Sequence, residues 1–307
     1  MFFPILDLKQ TINVMSCAKL KYTFHWHMVD AQSLPLKVPS LPLLNQKGAY
    51  SCSKCYSRDD IQEFIAHTNS KGVDVMIEIN GPGHTSIVIC IYVDCAWKNS
   101  KCWWESTAEQ PSGQLCIMDE RAVQLAKEIY TKIAQEVSGT FFSTGGDEVV
   151  SIAKIWLDLP KFAMGMNLTQ VWFNFVNQTC NALFAIGKTP VIWEELVLDD
   201  NLTLGLDTIV TVWPSSANAQ DVGDKGYHII HAASNFAYLN WYIVLLSLKR
   251  SKIYLQFWLT FQIFELLYSY DLYTNITDNQ HRQIMGVDQD LLWSEQTDPQ
   301  NLDTLLW

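Results

Sequence analysis

Apolar positions along the chain follow two alternating patterns. Short runs rich in β-branched and aromatic residues predict strands, at residues 22–29, 73–79, 140–144, 190–193, 208–213, 227–232 and 284–292. Apolar residues spaced along one helical face predict helices between several of these runs, at residues 58–71, 119–137 and 169–186. Strands that alternate with helices are typical of an α/β fold with a parallel sheet.

Polar and aromatic side chains cluster at the ends of the predicted strands. Asp30, His84 and the Asp147–Glu148 pair each follow a strand. The active sites of (β/α)8 barrels are built from the C-terminal ends of many strands, whereas an open doubly wound sheet usually has a glycine-rich phosphate loop at one switch point. The sequence contains no G-x-G-x-x-G or Walker pattern. It therefore predicts a TIM-type (β/α)8 barrel that is incomplete, since only seven strands are recognisable.

Residues 1–307 are expected to form one catalytic barrel domain, because no low-complexity linker or short internal repeat divides them. Residues 241–267 form an atypical, strongly apolar segment within it, interrupted by Lys249, Arg250, Lys252 and Glu265. A membrane span needs about 20 uncharged apolar residues, so no span is predicted.

Acidic residues outnumber basic ones by 32 to 21, which gives a formal net charge of −11. Nucleic-acid binding is not expected, because phosphate recognition needs clustered Lys and Arg. A neutral ligand such as a sugar fits this charge, and the twelve Trp provide aromatic platforms for the apolar faces of sugar rings.

Eight cysteines and four Asn-x-Ser/Thr sequons bear on the compartment. The sequons begin at Asn167, Asn177, Asn201 and Asn275. Together with an even number of Cys they favour the secretory route, with disulfides and a secreted or vacuolar/lysosomal destination, although residues 1–8 lack the basic leader of a signal peptide. Structural zinc is the alternative for the cysteines, but it would need a second C-x-x-C motif, which the chain lacks.

Residues 143–148 (STGGDE) carry the sharpest chemical signal. Two glycines let backbone and substrate approach closely, and two adjacent carboxylates follow at a strand end. Neighbouring residues of a regular strand point to opposite faces, so Asp147 and Glu148 serve one site only where the strand has ended. Like charges this close raise the pKa of one of them, as a general acid requires. A solvated turn is the alternative.

Two further segments supply histidines. His25 and His27 share one face of a strand that ends at Asp30. They fit either a metal-dependent hydrolase, with ligands such as His84 and Asp290, or a polar role in orienting acids. His84 follows a Gly-Pro-Gly turn that presents it toward the strand ends, and a capping histidine on a surface loop is its alternative.

Three tryptophans, Trp193, Trp213 and Trp293, each close a separate predicted strand. A single buried Trp is usually a core residue. Three at equivalent positions, beside Tyr238 and Glu295, instead indicate the walls of a sugar pocket.

Taken together, these motifs resemble glycoside hydrolase family 20, the β-N-acetylhexosaminidases, and look most like its fungal members. The matching segments stand in the family's order and cover most of the chain. They are HWHMVDA (25–31), GAYS (48–51), GPGHT (81–85), FSTGGDE (142–148), IWEE (192–195), TVW (211–213) and LWSEQTDPQN (292–301).

The resemblance implies an exo-acting hydrolase of terminal N-acetylglucosamine or N-acetylgalactosamine. Its mechanism is substrate-assisted and retaining, an exception to the usual two-carboxylate scheme. Glu148 would be the general acid/base, and Asp147 would hold the 2-acetamido group while its carbonyl oxygen attacks the anomeric carbon. His84 and Asp30 would form a relay behind Glu148.

The resemblance also implies the partners. Six residues would contact the sugar: Trp193, Trp213, Tyr238, Asn240, Trp293 and Glu295. The expected substrates are chitooligosaccharides or glycoconjugate glycans, with no cofactor and no metal, and a homodimer is the candidate assembly.

Some features depart from the family pattern. The first barrel strand, with a sugar-binding Arg, and the last helix lie outside the chain, and residues 241–267 do not resemble the family. Asn80 and Asn240 each stand where an Asp is usual. A truncated relative that is inactive or only binds the sugar is therefore the alternative function.

Overall fold

A computed structural model describes residues 2–19, 23–92, 113–149, 168–237, 268–274 and 276–288. The chain divides into two compact units, Met1–Thr208 and Ile209–Trp307. Each unit has its own parallel strands and helices.

The first unit alternates helices and strands. Its elements are α1 Ile5–Cys17, β1 Thr23–Val29, α2 Pro42–Gly48, α3 Arg58–Ser70, β2 Asp74–Ile79, α4 Ser86–Ile91, α5 Glu120–Ala134, β3 Phe141–Ser143, α6 Leu168–Ala185, β4 Thr189–Trp193 and α7 Glu195–Leu198. Its strands pair in parallel in the order β1-β2-β3-β4.

The register of these strands determines where the site lies. His27 on β1 pairs with Glu78 on β2, Glu78 pairs with Ser143 on β3, and Ser143 pairs with Val191 on β4. The carboxyl ends of the four strands are therefore level with one another. Whatever follows each strand is delivered to the same edge of the sheet.

The helices form for the reasons that the sequence indicated. Ser57 caps α3 in a reciprocal capping box with Asp60, which satisfies two backbone donors that a helix start leaves open. Asp119 accepts a hydrogen bond from Arg121 N at the start of α5. The apolar stripe of α5 is buried, including Val123 and Ile133.

The second unit contains β5 Ile209–Val212, α8 Asn218–Asp224, β6 His228–His231, a 3-10 helix His281–Gln283 and β7 Ile284–Val287. Its strands are parallel in the order β5-β6-β7. Among the described residues, no helix is both long enough and apolar enough to cross a bilayer.

All seven predicted strands are present, with ends that differ from the prediction by at most one residue where both ends are described. The sequence analysis did not predict α1, α2, α4, α7 or α8. Most of these helices are only four to seven residues long, too short to show a periodic pattern. The longer α1 begins after Pro4 without a side-chain cap, so it lacks the usual start signal.

Six of the eight cysteines are described, and five of them are free thiols: Cys17, Cys52, Cys55, Cys90 and Cys180. The prediction of disulfides is therefore wrong for these five. In the C-x-x-C turn the Cys55 thiol donates to the carbonyl oxygen of Cys52 at 3.0 Å. Cys95 and Cys102 lie outside the described residues.

Candidate active site

Four titratable side chains meet at the carboxyl edge of the first unit's sheet: Asp30 after β1, His84 after β2, and Asp147 and Glu148 after β3. We call them the carboxylate–histidine cluster. His84 is central, since its Nδ1 lies 3.1 Å from Asp30 Oδ1 and its Nε2 lies 3.4 Å from Glu148 Oε2 and 3.7 Å from Asp147 Oδ2. The four side chains are 16–21% exposed, so the cluster is mostly buried but not sealed from solvent.

The backbone at the cluster is strained at two of its members. His84 has a φ of +50° and Glu148 a φ of +48°, in the left-handed region that residues other than glycine rarely adopt. Such conformations cost about 1–3 kcal/mol each and occur where the surroundings fix a side chain for function. The turn that ends β3 brings both Asp147 and Glu148 close to His84.

The two glycines of this turn are favoured by their positive φ and by the little space around them. A Cβ on Gly145 (φ +67°) would lie 2.0 Å from Asn80 Oδ1, and one on Gly146 (φ +103°) would lie 2.6 Å from Leu196 Cδ1. Both contacts are far closer than atoms tolerate. Glycine therefore lets the turn pack directly against the end of β2 and against α7.

The charges of the cluster shift its members in different directions. Burial alone would lower the pKa of His84, but Asp147, Asp30 and Glu148 outweigh it and raise that pKa well above its usual value. Burial would raise the pKa of Asp30, yet the hydrogen bond and positive charge of His84 bring it far below its usual range. Asp30 and His84 therefore form an ion pair.

Asp147 behaves in the opposite way to Asp30. Burial raises its pKa, and the neighbouring Glu78 and Glu148 add to the increase, while His84 and a hydrogen bond from Asn80 oppose it. A carboxyl group that is costly to ionise therefore stands beside one that is held as an anion. Such divergence among neighbouring titratable groups is typical of acid–base sites.

A second polar group lies beneath the cluster and was missed by the sequence analysis. Glu78 on β2 is fully buried. It accepts hydrogen bonds from His25 Nε2 at 2.9 Å, from Ser143 Oγ, and from Trp193 Nε1 at 3.1 Å. We call these four residues the Glu78 network. The available signal was a Glu inside an otherwise apolar strand, because a charge at such a position must be paired.

His25 and His27 both face Glu78, since His27 Nε2 lies 3.6 Å from its Oε1. The structure thus places the two histidines on one strand face, as predicted, with a carboxylate opposite them. No group of three or more metal-ligating side chains is found within the described ranges. Asp290, one of the ligands considered for the metal alternative, lies outside them.

The predicted sugar-binding residues are only partly described. Trp193 ends β4 and is 9% exposed, and Trp213 follows β5 in the second unit and is also 9% exposed. Trp193 donates its indole N–H to Glu78. Four residues of the predicted set, Tyr238, Asn240, Trp293 and Glu295, lie outside the described residues.

Comparison with known proteins gives a consistent result. The family model described as Glycosyl hydrolase family 20, catalytic domain, matches residues 1–307. The chain is 30% identical to a beta-hexosaminidase of Arthroderma benhamiae over 98% of this chain and 52% of the relative. It is also 30% identical to beta-hexosaminidase subunit A1 of Dictyostelium discoideum over 93% of this chain and 51% of the relative. The chain thus spans about half the length of these curated relatives.

The fold is shared with solved structures. A family 20 exo-β-N-acetylglucosaminidase from Vibrio harveyi, in complex with N-acetylglucosamine, superimposes with a TM-score of 0.82 at 19% identity, over 100% of this chain and 50% of the other. This likeness confirms the predicted barrel-type α/β fold class. Since the family model spans residues 1–307 and the site motifs stand at the strand ends, the chain belongs to glycosyl hydrolase family 20.

Proposed function

We propose that this protein is an exo-acting β-N-acetylhexosaminidase. It would remove terminal non-reducing N-acetylglucosamine or N-acetylgalactosamine by a substrate-assisted, retaining mechanism. The observation that carries the proposal is the placement of Asp147 and Glu148 within 3.7 Å of one histidine, His84. Two adjacent carboxylates on one turn suit the family's scheme, in which the 2-acetamido group of the substrate is the nucleophile, better than the opposed pair of an ordinary retaining glycosidase.

Asp147 is proposed to bind the acetamide group. Its Oδ1 accepts from Asn80 Nδ2 at 2.7 Å, which leaves Oδ2 to accept the amide N–H of the substrate. As the acetamide oxygen attacks the anomeric carbon, its nitrogen gains positive charge. An anionic Asp147 stabilises that charge, and such electrostatic stabilisation of a transition state is a large catalytic effect.

Glu148 is proposed to be the general acid/base. It donates a proton to the glycosidic oxygen as the bond to the anomeric carbon breaks. It then takes a proton from the water that opens the cyclic intermediate. His84 Nε2 faces Glu148 Oε2 at 3.4 Å, and His84 Nδ1 is held by Asp30 at 3.1 Å, so the Asp30–His84 ion pair orients Glu148.

Trp193 is proposed to line the acetamide pocket beside Asp147. Its indole is fixed by the hydrogen bond to the buried Glu78, and an aromatic face held in this way suits an acetamide methyl group. The sugar contacts of Trp213, Tyr238, Asn240, Trp293 and Glu295 stay predictions.

Chitooligosaccharides are the proposed substrate class, together with glycoconjugate glycans. One relative, 28% identical over the full length of this chain, is a chitooligosaccharidolytic β-N-acetylglucosaminidase of Bombyx mori. The net charge of −11 also favours neutral sugars over anionic ligands.

The secretory route and a homodimer are the finer parts of the proposal. The sequon Asn201 is exposed, as an acceptor of N-linked sugar must be. The free thiols of Cys17, Cys52, Cys55, Cys90 and Cys180 give the route no support. Glycosidase digestion of the protein from its natural source and sedimentation of the purified protein test these two statements.

The test of the function is hydrolysis of a chromogenic β-N-acetylglucosaminide at mildly acidic pH. Glu148→Gln removes the transferable proton and is expected to lower kcat by about 10³-fold. Glu128→Gln, on the exposed face of α5, is the matched control and should keep full activity. Sugar binding without turnover in the unmodified protein would favour the binding-only alternative.

A further inference from the structure

Asn80 is a buried amide at the end of β2, 2% exposed, and both ends of its side chain are engaged. Its Oδ1 accepts from Gly146 N at 3.1 Å, and its Nδ2 donates to Asp147 Oδ1 at 2.7 Å. One side chain therefore holds the backbone of the glycine turn and the carboxylate that the turn carries.

The turn is built around this amide. Asn80 Oδ1 occupies the space that a side chain at position 145 would need, since a Cβ on Gly145 would lie 2.0 Å from that oxygen. The amide oxygen must face the Gly146 N–H, so the amide nitrogen must face Asp147. Orientation is fixed by the two partners together, because an oxygen against the carboxylate would be repelled.

The surroundings of Asp147 show why an uncharged donor matters there. Glu148 on its own turn and Glu78 on β2 both oppose its ionisation, whereas His84 from the loop after β2 favours it. The positive charge of His84 is already shared with Asp30 from the end of β1. A further carboxylate at position 80 would add a third like charge, and an apolar residue would remove a donor from a buried anion.

We propose that Asn80 is a positioning residue that keeps Asp147 ionised and fixes its Oδ1, so that Oδ2 is left to receive the acetamide N–H. Its importance for turnover rests on the proposed function. Its effect on Asp147 does not, which allows the two to be tested separately.

The direct test is a ¹³C NMR titration of the aspartate carboxyl groups in the full chain, with the Asp147 signal assigned by its loss in Asp147→Asn. Asn80→Asp keeps an acceptor for Gly146 N but makes the donor titratable, so the two carboxyls must share one proton. The signal of Asp147 should then show a second step, with its upper midpoint at least about one pH unit above that of the unmodified protein. Asn80→Leu removes the donor at every pH and should raise the single midpoint of Asp147 by a similar amount.

The matched control is Asn69→Asp on the exposed last turn of α3, which should leave the Asp147 titration unchanged. An Asp147 midpoint that is the same in Asn80→Asp as in the unmodified protein would overturn the proposal. This outcome does not depend on Asn80→Leu folding, nor on any turnover.

The pH profile of kcat/KM gives the second readout. Asn80→Leu should move the acid limb to higher pH, because Asp147 must lose its proton before it can act. Asn80→Asp should move the alkaline limb to lower pH, because the shared proton, and with it the donor, is lost as the pH rises. A uniform decrease with both limbs in place would show a purely structural role and contradict the inference. Absence of turnover in the unmodified protein, with the NMR shifts present, would instead count against the proposed function.

Discussion

The carboxylate–histidine cluster and the Glu78 network each combine histidine with carboxylate side chains, yet their electrostatics differ. Glu78 is fully buried, and burial alone would raise its pKa, but His27, His25 and Ser143 lower it to about 2. Burial likewise raises the pKa of Asp147, but here two carboxylate neighbours, Glu78 and Glu148, add to the increase, and His84 and the hydrogen bond from Asn80 do not overcome it. The balance of donors against like charges, more than depth of burial, decides which carboxylate is stable as an anion.

This comparison predicts that the two carboxylates separate activity from stability. Glu78 is surrounded by hydrogen-bond donors, so its carboxylate should stabilise the fold. Asp147 has like charges beside it, so its carboxylate should lower stability while it contributes to turnover. Each variant below tests one side of this difference.

The largest effect is expected for Asp147→Asn. Turnover should fall by about 10³-fold, or about 4 kcal/mol, because the amide cannot stabilise positive charge on the acetamide. The free energy of unfolding should rise by about 1 kcal/mol at neutral pH, since a group with a raised folded pKa destabilises the fold above its unfolded pKa. Kinetics and urea unfolding at pH 7 measure both, and a less stable variant would contradict this assignment of the two carboxylates.

Glu78→Gln should show the reverse pattern. Its lowered pKa implies that the carboxylate contributes about 3 kcal/mol to stability at neutral pH. That contribution is present above the unfolded pKa and is lost as the pH falls toward about 2. Turnover should fall only about tenfold, because Glu78 acts through its neighbours.

Urea unfolding at several pH values tests this, and the gap between Glu78→Gln and the unmodified protein should narrow as the pH falls. The control is Glu63→Gln, whose exposed ion pair with Lys9 should contribute about 0.5 kcal/mol or less. An equal loss of unfolding free energy in Glu78→Gln and Glu63→Gln would show that the buried carboxylate stabilises the fold no more than an exposed one.

The smallest effect is expected for Trp193→Phe. The change keeps an aromatic ring but removes the N–H that Glu78 accepts, so stability should fall by about 1 kcal/mol. A double-mutant cycle with Glu78→Gln should give a coupling energy of similar size. Strict additivity would show that the indole is held by packing alone.

The strands and the cluster could be predicted from the sequence because each leaves a local signal. Apolar runs predict the strands. The four residues of the carboxylate–histidine cluster each follow a strand, either directly or after a glycine-containing motif. Parallel strands then bring distant motifs to a common edge. Local sequence patterns were therefore enough to predict that residues far apart in the chain lie close together in the fold.

Glu78 and Asn80 could not be assigned roles in the same way. Their roles depend on which side chains the register places opposite them: Ser143 and Trp193 for Glu78, and Gly146 and Asp147 for Asn80. Those partners are 65 or more positions away in the chain. The disulfide prediction was wrong for the five free thiols for a related reason, since the number of cysteines carries no information about where their side chains lie.

The contact between Gly145 and Asn80 has a consequence for how such a sequence can change over time. Because the amide oxygen fills the volume that any side chain at position 145 would need, position 145 cannot change alone. A larger residue at position 145 is acceptable only if Asn80 is replaced by a smaller residue in the same lineage. The hydrogen bond from Asn80 Nδ2 to Asp147 is then lost as well. Random libraries should therefore find position 145 closed to single substitutions, and any active double variant must supply that donor from elsewhere.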